Sequence, residues 1–166
     1  MQLSKGVEYA FHTLFYMIDM PAGSNIGIKE LAELNKLPET YLSKVFTKLR
    51  KAGIVRAVPG AKGGYDLAKK AKDISFWDII EAVEGPAYSF QCAEIRRNNI
   101  LSDAQDTHNC EKPCLIKVVM EEAEEQMRQY LREKNLEWLK NQVYQEFSEE
   151  KKQAIREWVE ESAKKV

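Results

Sequence analysis

The chain has 166 residues, 44% hydrophobic and 31% charged, with 25 Lys and Arg against 26 Asp and Glu for a net charge of −1. That suits one domain with a core and added helices, or a small domain with a long appendage. No apolar run approaches the roughly 18 residues needed to span a bilayer, and the N-terminus has no signal-peptide core. A cytoplasmic protein without a membrane partner is therefore expected. Its three cysteines are then expected as thiols, ligands or sensors rather than structural disulfides.

The near-zero charge conceals a division. Residues 1–72 hold 12 basic and 6 acidic side chains, a balance of +6, and residues 73–166 hold 13 and 20, a balance of −7. Between Thr40 and Tyr65 stand Lys44, Lys48, Arg50, Lys51, Arg56 and Lys62, with no acid. Such a block points to a polyanion, with a solvated basic face as the plainer alternative.

The first element is a helix in "LSKGVEYAFHTLFYMIDM", with Val7, Ala10, Phe11, Leu14 and Ile18 on one side. Pro21, Gly23, Ser24 and Asn25 stop it. "GIKELAELNKL" gives a short second helix. "LPETYLSKVFTKLRKAG" gives a third, with Leu42, Val45, Phe46 and Leu49 inward and Gly53 at its end. "IVRAVPGAKGGYDLA" reads as a hairpin around Pro59, Gly60, Gly63 and Gly64. "DISFWDIIEAVEG" is a fourth helix, capped by Ser75 with Asp78 three residues on and stopped by Gly85. Three helices, a hairpin and a fourth helix make a mainly α fold with a winged helix-turn-helix. The third helix is the DNA-reading one, and its outer side carries Thr40, Tyr41, Ser43, Lys44, Thr47 and Lys48. Lys62 in the hairpin can approach a backbone or minor groove, with Gly63 and Gly64 permitting close contact.

Residues 86–113 lose periodicity and are expected to be a functional, cysteine-bearing loop. "CLIKVVMEEAEEQMRQYLREKN" then forms a long amphipathic helix. Leu115, Val119, Ala123, Met127 and Tyr130 or Leu131 line one side, and Glu121, Glu122, Glu124 and Glu125 the other. The cover expected for that stripe is the same helix of a second subunit. Two more helical patterns follow, one around Trp138, Leu139, Val143 and Phe147 and one around Ile155, Trp158 and Val159, with Ser148 as a cap between them. The implied organisation is 1–85, the DNA-binding domain; 86–113, a sensor loop; 114–134, a dimerisation helix; and 135–166, C-terminal helices.

The words "LSKGVEYA", "LPETYLSKVFTKLRKAGIVRAVPGAKGGYDLA" and "DISFWDIIEAVEG" resemble the IscR/NsrR/CymR family of bacterial winged-helix regulators. The match is close over residues 2–85 and looser as far as the long helix. The resemblance implies a homodimer on an imperfectly palindromic operator, often as a repressor. By position it implies base or phosphate contacts from Thr40, Tyr41, Ser43 and Lys44, from Lys62 to Tyr65 (through Gly63 and Gly64) and from Ser4 and Lys5. Many relatives carry an arginine where this chain has Pro59, so a different operator preference is expected.

Iron–sulfur members of that family place three clustered cysteines before the dimerisation helix. Here the spacing is C-x17-C-x3-C, at Cys92, Cys110 and Cys114. Cys110 and Cys114 flank Pro113 at a helix start, where Asn109 can cap and the helix dipole favours thiolate. Two thiolates leave a cluster two ligands short. Cys92 and His108 are candidates, as are Glu8 and His12, one helical turn apart on the first helix. The resemblance implies that such a first-helix pair comes from the partner subunit. The leading expectation is an iron–sulfur regulator, with two irons favoured, using Cys110, Cys114, Glu8 and His12. Alternatives are a cluster-free thiol switch, zinc or inert cysteines, and a winged-helix adaptor acting through a protein partner. C-x3-C is not the C-x-x-C redox spacing, and no phosphate loop or hydrolytic triad is present, so an enzyme is not expected.

Overall fold

Apolar side chains at three- and four-residue intervals make α1 (Lys5–Met17), which buries Val7, Ala10, Leu14 and Met17. The computed structural model describes residues 3–60, 63–86, 90–98, 100 and 112–165. They fall into two compact units, residues 2–86 with 131–166 and residues 87–130. In α1, Thr13 is also buried, and its hydroxyl is satisfied within the helix by donating to the Tyr9 carbonyl at 2.6 Å. Phe11, expected on the buried side, is half-buried and packs on Phe76 at 4.4 Å. Met17 fills the last core position in place of Ile18, which lies past the helix end.

The first unit is a winged helix-turn-helix. β1 (Ser24–Asn25) leads into α2 (Ile28–Asn35), which closes on Lys36 in the left-handed region at φ 51°. Pro38 then starts α3 (Glu39–Lys51). The apolar side of α3 is Leu42, Val45, Phe46 and Leu49, all buried as expected. Gly53, at φ +69°, turns the chain into β2 (Val55–Val58), which pairs antiparallel with β3 (Gly64–Leu67) from Val55–Leu67 to Val58–Gly64. Ile26 adds a further bridge to this hairpin. Its N–H donates to the Tyr65 carbonyl at 2.9 Å, and the Tyr65 N–H returns a bond at 2.8 Å.

A short 3-10 turn (Ala71–Asp73) precedes α4 (Phe76–Glu84). The Ser75 hydroxyl accepts from the Asp78 N–H at 3.1 Å while the Asp78 carboxylate accepts from the Ser75 N–H at 2.8 Å, the reciprocal cap expected from the sequence. Gly85 ends α4 at φ +92°.

The other unit contains a 3-10 turn (Ile95–Asn98) and most of α5 (Leu115–Glu133). The predicted stripe of α5 is open: Leu115 is 79% and Val119 60% exposed, with Ile116, Met120 and Tyr130 also exposed. Glu124 departs from the expectation of a solvated acidic side. It is buried and holds Arg128 at 2.6 Å, so it is an ion-paired helix residue rather than free surface charge.

The chain re-enters the first unit at the end of α5. The Phe76 N–H donates to the Lys134 carbonyl at 2.8 Å and the Leu136 N–H to the Ile74 carbonyl at 3.1 Å, setting residues 134–136 along 74–76. α6 (Leu136–Glu146) and α7 (Glu149–Ser162) follow, capped by the side chains of Asn135 and Ser148. They lie against α1 through Phe15–Tyr144 and Tyr16–Trp158 edge contacts at 6.0 and 6.1 Å. Asp19 pairs with Lys140 and accepts the Tyr144 hydroxyl at 2.6 Å. Burial, then the Asp19 carboxylate, hold that hydroxyl well above its ordinary pKa, so it stays a donor. β4 (Lys164–Lys165) pairs with β1.

Gly64 is a close backbone approach that ties the wing to Ile26. A Cβ there would lie 2.5 Å from both the Ile26 carbonyl oxygen and Asn25 Oδ1. Gly64→Ala is expected to cost about 1–3 kcal/mol by overpacking, read as a lower urea midpoint at unchanged slope.

Candidate DNA-reading face and cysteine site

With its apolar side locked, α3 turns Thr40, Lys44 and Thr47 to solvent, with Ser43 half-buried beside them. The Thr47 hydroxyl donates to the Ser43 carbonyl at 2.9 Å, which leaves the Thr47 oxygen free to accept. Tyr41 is 39% exposed, and its ring meets Tyr9 of α1 edge-on at 5.5 Å. It is therefore partly a packing residue between α1 and α3.

Two exposed side chains predicted as DNA contacts also bond within the protein. Lys48 donates its Nζ to the Val83 carbonyl at 2.6 Å, in the last turn of α4. That carbonyl belongs to a helix C-terminus, where a cation is favoured. Ser4 gives both its N–H (2.9 Å) and its hydroxyl (2.6 Å) to the Glu84 carboxylate. Lys5 is exposed at the first position of α1. Neither tie had a local signal, because the partners lie 35 and 80 residues away.

In the wing, Tyr65 is half-buried and stacks edge-on with Phe46 at 5.0 Å. Gly63 and Gly64 serve close packing there. A Cβ on Gly63 would sit 2.3 Å from the Val58 carbonyl oxygen. Lys62 lies outside the described residues. Arg56, counted in the acid-free basic block, is clamped by Asp66 across the hairpin at 2.6–2.8 Å. The hydrogen bond and charge of Asp66 raise its pKa, and the pair contributes little net charge to the face.

Cys114 immediately precedes α5, and its carbonyl accepts the Val118 N–H at 3.0 Å, so the helix begins later than the stretch from Asn109 suggests. Cys110, His108 and Asn109 lie outside the described residues. The Lys117 N–H is the main cause holding the Cys114 thiol below its ordinary pKa. Desolvation works against it, while the Ile116 N–H, the Arg96 charge and the Cys92 thiol add to the lowering. This is the helix-start effect expected from the sequence.

Cys92 is the residue sequence reasoning undervalued. Phe90, Cys92, Ile95, Arg96, Cys114 and Ile116 line one pocket of about 350 Å³. The Cys92 S–H reaches Glu94 Oε1 at 3.8 Å. Arg96 is fixed there by Glu94 at 3.0 Å and by donating to the Lys112 carbonyl at 2.6 Å. Two thiols and a held guanidinium suit thiolate chemistry, whether a metal ligand or a redox pair.

Glu8 and His12 are exposed and share a groove of about 380 Å³ with Phe11, Phe15, Leu139 and Val143. They project together as their spacing requires. Among the described residues, no group of three or more His, Cys, Asp and Glu side chains is gathered to hold a metal ion.

The Cys114 environment has a direct readout. In reduced, metal-free protein, iodoacetamide labelling of Cys114 is expected to rise through its midpoint at a lower pH than in the urea-unfolded chain. Arg96→Gln should move that midpoint up, because it removes one of the charges favouring thiolate.

The sequence profile of the Rrf2 family, described as an iron-dependent transcriptional regulator, matches residues 3–142. YwgB of Bacillus subtilis strain 168, named as an HTH-type transcriptional regulator, is 27% identical over 159 residues, which cover 96% of this chain and 95% of that protein. T. potens IscR superposes with a TM-score of 0.62 at 26% identity, over 86% of this chain and 88% of that one. The oxidised form of Staphylococcus aureus CymR gives 0.59 at 27% identity, over 84% and 96%. No described helix is long and apolar enough to cross a membrane. The chain belongs to the Rrf2 family and is a transcriptional regulator rather than an enzyme.

Proposed function

We propose that this regulator is a homodimeric repressor whose operator binding is set by an iron–sulfur cluster. Thr40, Tyr41, Ser43 and Lys44 read the operator, flanked by the Ser4–Lys5 segment and by the wing from Lys62 through Tyr65. The open stripe of Leu115, Ile116, Val119 and Met120 on α5 is the dimer surface, since a second copy of the same stripe is its natural cover. The observation that carries the switch is Cys114, whose thiol is lowered in pKa at the start of α5 and shares a pocket with Cys92.

That donor set fits a cluster held by thiolates, and the family is described as iron-dependent. Cys110 and Cys114 would hold it, with Cys92 as the alternative thiolate and Glu8 and His12 supplied by the partner subunit. When bound, such a cluster supplies a redox-active group whose loss or oxidation changes the charge at the start of α5. The chain's own part is to favour the Cys114 thiolate, through the Lys117 and Ile116 N–H groups and Arg96. A second reading, a cluster-free thiol switch, is favoured by the pocket that Cys92 and Cys114 line together. An oxidised CymR structure is among the similar folds.

Visible absorption and iron and sulfide content of anaerobically purified protein decide between the two. Colour is expected, and Glu8→Ala and His12→Ala should each alter it. A colourless, iron-free preparation leaves the thiol switch, and an unaltered spectrum in both variants moves the remaining ligands elsewhere. DNA reading is tested separately by titrating a duplex selected by the wild-type protein from a random-sequence pool. If Lys44 neutralises one phosphate, Lys44→Ala lowers the salt slope of log K by about 0.9; an unchanged slope and affinity removes it from the interface.

A further inference from the structure

Residues 87–130 follow α4 in the chain, and the residues after them pack at the other end of α4. At the C-terminal end, Gly85 breaks the helix at φ +92° and Cys92 follows eight residues after Glu84. At the N-terminal end, the chain emerging from α5 is pinned by the Phe76–Lys134 and Leu136–Ile74 backbone bonds, and the Arg132 guanidinium lies 5.9 Å over the Trp77 ring. α4 is thus continuous in the chain with the cysteine-bearing segment at its C-terminal end, and at its N-terminal end it is bonded to the residues that follow that segment.

The last turn of α4 is in turn fastened to the DNA-reading face. Lys48, on α3, donates to the Val83 carbonyl at 2.6 Å. Ser4, next to α1, donates twice to the Glu84 carboxylate. Gly6 approaches the same turn so closely that a Cβ there would meet Val83 Cγ1 at 3.1 Å. Lys48 could instead reach a phosphate, as its place on α3 first suggests. However, a lysine already bound to an orphan helix carbonyl gives that bond up to do so, and the carbonyl then loses its partner.

We propose that the last turn of α4 is the lever by which the cysteine segment re-aims α3, and that Lys48 is the positioning residue that makes the connection. A displacement of α4 along its axis or about it moves the Val83 carbonyl. Lys48 passes that movement to the helix carrying Thr40 and Lys44, without itself contacting DNA. The inference rests on the proposed switch, because it needs DNA affinity to depend on the state of the cysteines.

The test measures affinity of the full-length protein for the same selected duplex, anaerobically as isolated and after oxidation with ferricyanide. In the wild type the two states should differ by about tenfold or more, within the usual range of allosteric coupling. Lys48→Met is expected to collapse that ratio to about twofold or less while leaving the salt slope unchanged, and Lys48→Arg, which can still donate to Val83, to restore it. A Lys48→Met protein that keeps the full ratio but loses about 0.9 from the salt slope would make Lys48 an ordinary phosphate contact and overturn the proposal. If Lys48→Met does not fold, Ser4→Ala tests the same lever, and an undiminished ratio there overturns it. Equal affinities of the two wild-type states overturn the lever and the switch together, whereas a state-dependent wild type with a state-dependent Lys48→Met overturns the lever alone.

Discussion

A helix proposed to read DNA must hold one side still while offering the other, and α3 is held by four buried side chains, Leu42, Val45, Phe46 and Leu49. Every other feature of the reading face depends on that packing. Phe46 touches Tyr65 and so joins α3 to β3, while both backbone groups of Tyr65 are bonded to Ile26. The wing and the reading helix are therefore parts of one rigid assembly, and Gly64 exists at its junction because Ile26 leaves no room for a side chain. Rotation of α3 about its axis would expose Phe46 to water, at a cost of roughly 2–3 kcal/mol for that ring alone.

The basic block looks different once its members are traced. Arg56 is committed to Asp66 and Lys48 to Val83, while Arg50 and Lys51 stand in the last turn of α3, where cations favour the helix terminus. Lys44 stands exposed among the hydroxyl-bearing residues of α3. The charge that gives the N-terminal half its balance of +6 thus serves the protein's own helix ends and hairpin as well as a polyanion.

This division marks what the sequence could reveal. Helix limits were legible because they are written by near neighbours: Ser75 with Asp78, Pro38, Gly53 and Gly85 each act within a few residues. The winged order of elements followed from those limits. Contacts across the fold were not legible. Nothing beside Ser4 announces Glu84, and Lys48 is indistinguishable in sequence from Lys44, since both lie on the polar side of one amphipathic helix. Glu124 was misplaced for a related reason: the acidic run suggests one solvated side, whereas its partner Arg128 sits one turn later and takes it out of water. Cys92 was undervalued because seventeen residues separate it from Cys110 and spacing alone cannot report its neighbourhood with Cys114.

Cys114 stands directly before the first turn of α5, where the backbone N–H groups of Lys117 and Ile116 favour its thiolate. Converting that thiolate to a neutral sulfur removes the charge those groups favour. The same helix carries the open apolar stripe from Leu115 to Met120 directly after Cys114. A chemical change at one sulfur thus acts where helix start, apolar surface and cysteine pocket coincide, and no large rearrangement is needed for it to be felt.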